Sequence, residues 1–276
     1  MNQLLNNKKL QQVLEKDGYT IIDFLNEYEI KTLLDLYHEL PHEIKSSFGA
    51  SLMSQNINYR QLVNQKIKKI LGEKTEKLFG FHRLSFWGFV FKKCKAIDSE
   101  VPIHQDPSFI DETKSNSYGI WCPLTDVNKF NGCLQLVKGS HKLNSKPRGL
   151  ASAHDFPYEN LLSLIRKEYL TDIPMSVGQA LIYDVRMFHS SPANKTTKER
   201  VAIIGQLIPK DSIMRYYHWD LQNNKYLEIF EVDDEFYTQV ILGVKPEGLT
   251  SLGFIDREFE PLNAEDLASK LNNEVI

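Results

Sequence analysis

GQALIYDVRMFHSSPANKTTKERVAIIGQLIP, residues 178–209, reads as strand, loop and return strand. The flanking runs GQALIYDV (178–185) and RVAIIGQLIP (200–209) are aliphatic and β-branched, and Ser, Pro, Asn, Thr and Lys fill the stretch between them, the texture of two strands joined by a loop. The same texture recurs upstream. LSFWGFVFKK (84–93) is aromatic-rich, and SYGIWCPLTDV (117–127) and GCLQLVKGS (132–140) are further short apolar runs. Turn residues separate them, including Asn131-Gly132, Gly139 and Val177-Gly178. One helix is predicted among them at 158–169, with Leu161, Leu162, Leu164 and Ile165 as its apolar side. Many short strands at modest spacing predict a sandwich or closed barrel, not a parallel α/β sheet. Neither GxGxxG nor GxxxxGK[ST] occurs, which removes the common nucleotide-binding readings.

Upstream of these strands the chain is helical. Residues 4–16 predict a polar helix, and DGYTIIDFL (17–25) a short strand after Gly18 breaks it. In NEYEIKTLLDLYHEL, Asn26 and Glu29 have the spacing of a capping box. Ile30, Leu33, Leu34, Tyr37 and Leu40 then recur at helical spacing, and Pro41 closes the helix. Residues 58–79 predict another helix, with Leu62, Ile67, Ile70 and Leu71 inward and its lysines on a solvated face. Beyond residue 210 the chain is less regular and rich in aromatic and acidic residues, among them Tyr216, Tyr217, Trp219, Tyr226, Phe230, Phe236 and Tyr237. It is expected to pack over the barrel or its mouth, as a wrap or a lid. With no repeat, linker or low-complexity run, a single domain over 1–276 is the economical reading: a helical part at about 1–80, a core at about 81–210, and the wrap at 211–276.

Composition bounds the class. The 276 residues are 42% hydrophobic and 25% charged, enough to bury a core without disulfide support. A net charge of −3 gives no basic excess for a nucleic-acid partner. Three cysteines (Cys94, Cys122 and Cys133) with no CxxC spacing point to a reducing compartment rather than a disulfide or zinc framework. The N-terminal residues lack the apolar run of a secretory signal. No stretch approaches the ~20 apolar residues of a membrane span. A cytoplasmic protein without membrane contact is the expectation.

The strongest chemical signal is Pro102-Ile103-His104-Gln105-Asp106. Residues two apart in a strand project together, so His104 and Asp106 share a face. His189, at the end of the strand that opens the quoted stretch, offers a third ligand. Two imidazoles and one carboxylate on one face leave the opposite positions of a metal open, as an iron(II) oxygenase requires. Arg200 opens the return strand, eleven residues after His189. Its charged fork suits a bidentate carboxylate, and the loop would bring it onto a strand neighbouring His189. Two histidines and a carboxylate also suit catalytic zinc. HExxH is absent, however, and a hydrolase would leave Arg200 without a role.

His104-Gln105-Asp106, Trp121, NGCLQLVKGSHK (131–142), His189-Ser190-Ser191, Asn194 and Arg200, in this order and spacing, resemble the phytanoyl-CoA dioxygenase family of iron(II)/2-oxoglutarate-dependent oxygenases. DGYTIIDFL fits the same family's opening, and the resemblance covers roughly residues 17–210. It implies a mainly β fold with flanking helices around a double-stranded β-helix, a cupin-like jelly roll. His104, Asp106 and His189 would ligate iron(II). Arg200 would bind the distal carboxylate of 2-oxoglutarate, Ser191 would add a hydrogen bond, and Trp121 would line the co-substrate site. One of Lys92, Lys93 and Lys95 would assist, and His141 would approach from behind. The implied reaction uses O2 to hydroxylate an unactivated C–H bond of a small-molecule substrate, releasing succinate and CO2. A carboxylate at 106, where related halogenases carry a small residue, favours hydroxylation, or a desaturation or cyclisation by the same chemistry, over halogenation.

The alternative is a non-catalytic, cupin-like metal-binding protein. His38 and His42 suit a helix C-terminus. His82, His154 and His218 are expected to be surface or satisfied polar residues. Asp184 and Arg186 are expected to pair with each other, and Tyr118 and Ser108 are candidates for the pocket wall. Substrate specificity is expected from 107–117, 142–158 and 211–262.

Overall fold

The computed structural model describes residues 3–41, 43–149, 156–220, 225–241, 243–257 and 259–272. His42, His154 and residues 150–155 of the expected specificity segment lie outside the described residues. In chain order the elements begin with α1 (Lys8–Asp17), β1 (Tyr19–Asp23), α2 (Glu27–Glu39), β2 (Phe48–Ala50) and α3 (Ile57–Leu78). Then come β3 (His82–Lys92), β4 (Val101–His104), β5 (Tyr118–Pro123), β6 (Leu134–Val137), α4 (Leu162–Leu164) and β7 (Leu170–Ile173). The remainder are β8 (Gln179–Asp184), β9 (His189–Ser191), β10 (Arg200–Pro209), β11 (Met214–Trp219), β12 (Tyr226–Val232), α5 (Phe236–Gln239), β13 (Ser251–Asp256) and α6 (Ala264–Asn272).

A six-stranded sheet, β1-β8-β5-β10-β3-β2, faces a four-stranded sheet, β4-β9-β6-β7, and β11-β12-β13 form a third sheet. Every described strand pair is antiparallel. This is the jelly-roll core with flanking helices that the sequence predicts.

Two-residue alternation on the large sheet separates its two faces. Trp87, Phe89 and Phe91 of β3, Ile120 and Cys122 of β5, Ile182 of β8, and Val201 and Ile203 of β10 pack with Leu33 of α2 and with Val63, Ile67 and Leu71 of α3. The intervening residues Val90, Trp121, Leu181, Tyr183 and Ala202 turn the other way, against Leu134 and Leu136 of the small sheet. The helices thus seal one face, and the opposite face becomes the interior of the barrel.

The helix signals act as predicted. Asn26 and Glu29 close a reciprocal capping box at α2. Gly18 ends α1 at φ +87°, where a Cβ would fall 2.1 Å from Met187 Sδ and 2.4 Å from His141 Nδ1. The 58–79 reading needs one correction: Leu62 is 40% exposed. The buried stripe of α3 is Arg60, Val63, Asn64, Ile67, Leu71 and Thr75, and Leu62 falls off it. The single helix expected at 158–169 is broken into one-turn pieces, α4 among them, none with a side-chain cap. The tail is more regular than expected, since β11, β12 and β13 form a meander. Among the described residues no helix is long and apolar enough to cross a membrane.

Asn26→Ala removes the cap of α2 and should cost about 1 kcal/mol, within the ~0.5–2 kcal/mol range of such caps. Urea unfolding would measure it, and a midpoint equal to wild type would refute the role of the cap.

Candidate metal centre

His104 ends β4 and His189 begins β9, directly opposite each other in the small sheet. Their ring centroids lie 4.1 Å apart. Asp106 lies just past the end of β4, its backbone N–H held by the carbonyl of Val185 at 3.1 Å. The three side chains offer ligand atoms that all lie within 4.8 Å of one another. Asp106 Oδ1 is 3.7 Å from His189 Nε2 and 4.0 Å from His104 Nε2. These separations are too long for hydrogen bonds. Both lie below the about 4.4 Å that two ligands at ~2.0–2.2 Å from one ion can span.

The tautomers suit a metal. His104 Nδ1 donates to the carbonyl of Pro102 at 2.8 Å, and His189 Nδ1 donates to that of Met187 at 3.0 Å. A carbonyl only accepts, so the proton sits on Nδ1 and the Nε2 lone pair faces inward. Burial, then the neighbouring His189, lowers the pKa of His104 to about 4 against the opposing pull of Asp106. The ring is neutral at pH 7. Asp106 divides its two oxygens: Oδ1 faces the histidines, and Oδ2 accepts from the Tyr183 hydroxyl at 2.8 Å. Burial, then the charge of Asp106, pushes the Tyr183 phenol well above its usual pKa and keeps it a donor.

Arg200 is 2% exposed, and its Nε and Nη1 have no partner among the described residues. Burial lowers its pKa to about 10, so it remains a cation at neutral pH. Its Cζ lies 5.4 Å from the centroid of the Trp121 ring. Arg200, Trp121, Ser191 and the three candidate ligands line one cleft of about 660 Å³. A buried guanidinium with free donors beside a set of candidate metal ligands is the electrostatic shape of a site for an anion that also reaches a metal. The residues present therefore fit the group that the sequence implies.

The three lysine candidates separate. Lys92 pairs in register with Arg200 and is 0% exposed. Its Nζ donates to the carbonyls of Ser191 and Pro192 at 2.8 and 2.7 Å. Burial, then the charge of Arg200, lowers its pKa to about 6. Lys92 thus secures the backbone of β9, whereas Lys95 is exposed and Lys93 reaches the carbonyl of Lys45. Ser191 donates its hydroxyl to the Gly132 carbonyl at 2.9 Å, so a bond from it to a co-substrate requires exchange of that partner.

The NGC…GSH segment is scaffolding for the strand that carries His189. Gly132, at φ +88°, could not hold a Cβ, which would sit 2.7 Å from the Pro192 carbonyl. Gln135 Oε1 accepts from Ser190 at 2.9 Å, and Ser140 Oγ accepts from the Phe188 N–H at 2.8 Å. Asn194 Nδ2 ties the loop before Arg200 to the carbonyls of Lys92 and Lys198 at 3.1 and 2.8 Å.

Other expectations fall elsewhere. His141 does not reach the triad; its Nε2 meets the carbonyl of Glu15, at the end of α1, at 3.2 Å. Ser108 accepts from the Arg148 N–H, inside a buried pair in which Arg148 grips both oxygens of Glu112 at 2.8 and 2.7 Å. Arg148 Nε also holds the Asp106 carbonyl at 2.8 Å. Tyr118 lines a separate cleft with His82, and His82 is buried with no partner for its Nδ1 among the described residues, contrary to the expected satisfied or surface residue. Asp184 and Arg186 pair as expected. Sequence reading missed Tyr183, Arg148 and Glu112. The alternation that places Trp121 inward would have found Tyr183 once its strand was registered against Gly119.

The sequence model of the phytanoyl-CoA dioxygenase family matches residues 14–202, well over half of the chain. A phytanoyl-CoA dioxygenase of Arabidopsis thaliana is 27% identical over 45% of this chain and 43% of its own length. The peroxisomal phytanoyl-CoA dioxygenase of Rattus norvegicus is 27% identical over 50% of this chain and 42% of its own. The match thus spans less than half the length of either relative. Among solved structures, the non-heme alpha-ketoglutarate-dependent carbocyclase SnoK of nogalamycin biosynthesis aligns at a TM-score of 0.53 and 17% identity, covering 75% of this chain and 86% of its own. HygX of Streptomyces hygroscopicus, with nickel, 2-oxoglutarate and hygromycin B bound, aligns at 0.52 and 14%, covering 74% and 91%. At such identities the structural likenesses speak for the fold.

Tyr183→Phe leaves Asp106 Oδ2 unheld. Loss of such an outer partner typically weakens metal binding about 10–100-fold, and calorimetric titration with nickel(II) should show a loss of that size. Gly119→Ala should do the same, because its Cβ would fall 2.3 Å from Tyr183 Cζ. Unchanged affinity in Tyr183→Phe would remove Tyr183 from the centre.

Proposed function

The chain belongs to the phytanoyl-CoA dioxygenase family, and from that premise we propose that it is an iron(II)- and 2-oxoglutarate-dependent dioxygenase. It hydroxylates an unactivated C–H bond of a small-molecule substrate, with O2 consumed and succinate and CO2 released. The observation that carries the reading is the unpaired, buried Arg200 in the same cleft as the triad. A metal-binding protein without 2-oxoglutarate would have no use for that charge.

His104 and His189 present Nε2 lone pairs, fixed in direction by their Nδ1 bonds. Asp106 presents Oδ1 while Tyr183 keeps Oδ2 engaged. Iron with its co-substrate supplies the oxidising chemistry, and the chain supplies ligands, orientation and exclusion of water. Arg200 pairs with the distal carboxylate of 2-oxoglutarate, with Trp121 flanking the pair. Ser191 contributes a hydrogen bond once its hydroxyl turns from Gly132. The carboxylate at 106 occupies the position a halide would need, which favours hydroxylation. Phe86, Phe109, Val90 and Leu134 on the cleft wall favour a dry reacting centre. Free thiols at Cys94, Cys122 and Cys133 suit a reducing compartment such as the cytoplasm.

Anaerobic addition of iron(II) and 2-oxoglutarate should give a weak visible charge-transfer band, absent in Asp106→Ala. No band in the wild-type protein, with no succinate formed from any candidate substrate, would overturn the proposal. Arg200→Ala should raise the concentration of 2-oxoglutarate required by about 10-fold or more, as for loss of a charge-assisted pair, with little change in the iron requirement. Equal effects on both would remove Arg200 as the anchor.

A further inference from the structure

Two guanidiniums line the cleft, and the oxygenase reading uses only Arg200. The other belongs to Arg60, in the first turn of α3 and 1% exposed. Its Nη1 donates to the carbonyl of Val240, in the segment that follows α5. Its Nε and Nη2 have no partner among the described residues. These two N–H groups lie side by side on one edge of the planar fork, the edge that matches both oxygens of a carboxylate. The same edge is filled twice elsewhere in the molecule. Arg83 sets Nε and Nη2 on Asp234 at 2.8 and 3.1 Å. Arg186 sets them on Asp184 at 2.8 and 2.5 Å.

A strut between α3 and the tail would need only the Nη1 bond. It would not require a permanent cation with two donors left bare, because buried polar groups go unpaired at a cost. The cleft that Arg60 lines is mainly apolar, with Leu52, Met53, Phe86, Phe109 and Ile241 on its wall beside a few polar groups such as Gln206. Its volume of about 660 Å³ is that of a site holding a ligand well beyond the size of a co-substrate alone.

We propose that Arg60 is the specificity residue for substrate, binding through its Nε–Nη2 edge the carboxylate of an otherwise apolar acid whose chain lies along the cleft. That the bound acid is a substrate rests on the oxygenase reading; its binding does not. The anion separates the two guanidiniums by function: 2-oxoglutarate on Arg200 and the substrate acid on Arg60.

The test is calorimetric, on protein saturated with nickel(II) and 2-oxoglutarate so that Arg200 is occupied, with octanoate and its neutral counterpart octanamide as probes. Wild type should bind octanoate about tenfold or more tightly than octanamide, the scale of hydrogen bonds to a charged group. R60M should erase that preference, and R60K, a charge without a fork, should restore only part of it. Equal binding of the two probes by wild type, or an undiminished preference in R60M or R60K, overturns the proposal. Should R60M fail to fold, the wild-type pair and R60K still decide. Titration with 2-oxoglutarate alone tests the oxygenase reading separately: its failure removes the co-substrate, while the octanoate preference and its loss in R60M still stand or fall by themselves.

Discussion

A cation buried without a counter-charge is among the least favourable things a protein interior can hold, on the order of 3–5 kcal/mol when a partner is missing. Among the described residues Arg200 has no counter-charge at the start of β10, and the surrounding structure is arranged around keeping it there. Its neighbour Lys92 donates hydrogen bonds to two backbone carbonyls, and burial, then the charge of Arg200, lowers its pKa to about 6, which disfavours a second positive charge beside Arg200 at neutral pH. Trp121 lies beside the guanidinium with its ring. Asn194 ties down the loop that delivers the arginine to the cleft. A fold that tolerates this much unfavourable electrostatics must recover it from a ligand, because stability at the site and affinity for an anion draw on the same uncompensated charge.

The triad itself depends on backbone more than on side chains. Both histidines are oriented by the backbone carbonyls two residues before them. Asp106 is held at its amide by Val185 and at its carbonyl by Arg148. All of these bonds are made by the chain itself. The ligand positions are therefore a product of the jelly roll's pairing, with His104 opposite His189 in β4 and β9.

The parts legible in the sequence are those whose signal is local. His104 and Asp106 announce themselves by spacing, and Arg200 by opening an apolar run after a loop. The capping box of α2 and the break at Gly18 are likewise short-range. What stayed hidden needs register or closure. Tyr183 becomes meaningful only opposite Gly119, whose missing side chain makes room for the ring. Arg148 and Glu112 meet across two irregular segments that carry no periodicity. β7 and β9 are four and three residues long, too short to show alternation. In β11, Tyr216, Tyr217 and His218 are all buried, so the two faces look alike and the strand reads as irregular. Arg60 was indistinguishable from the lysines of α3 until the structure placed its side chain on the wall of the cleft.

The family match ends at residue 202, inside β10, yet Tyr237 and Ile241 from beyond it help to line the cleft. The wall of the cleft is therefore shared between the stretch that carries the candidate ligands and one that lies beyond the family match. Drift in the tail can reshape what fits without disturbing a single candidate ligand, and drift in the barrel cannot do the reverse. Such a division lets the three candidate ligands be inherited intact while Tyr237 and Ile241 change one part of the wall around them.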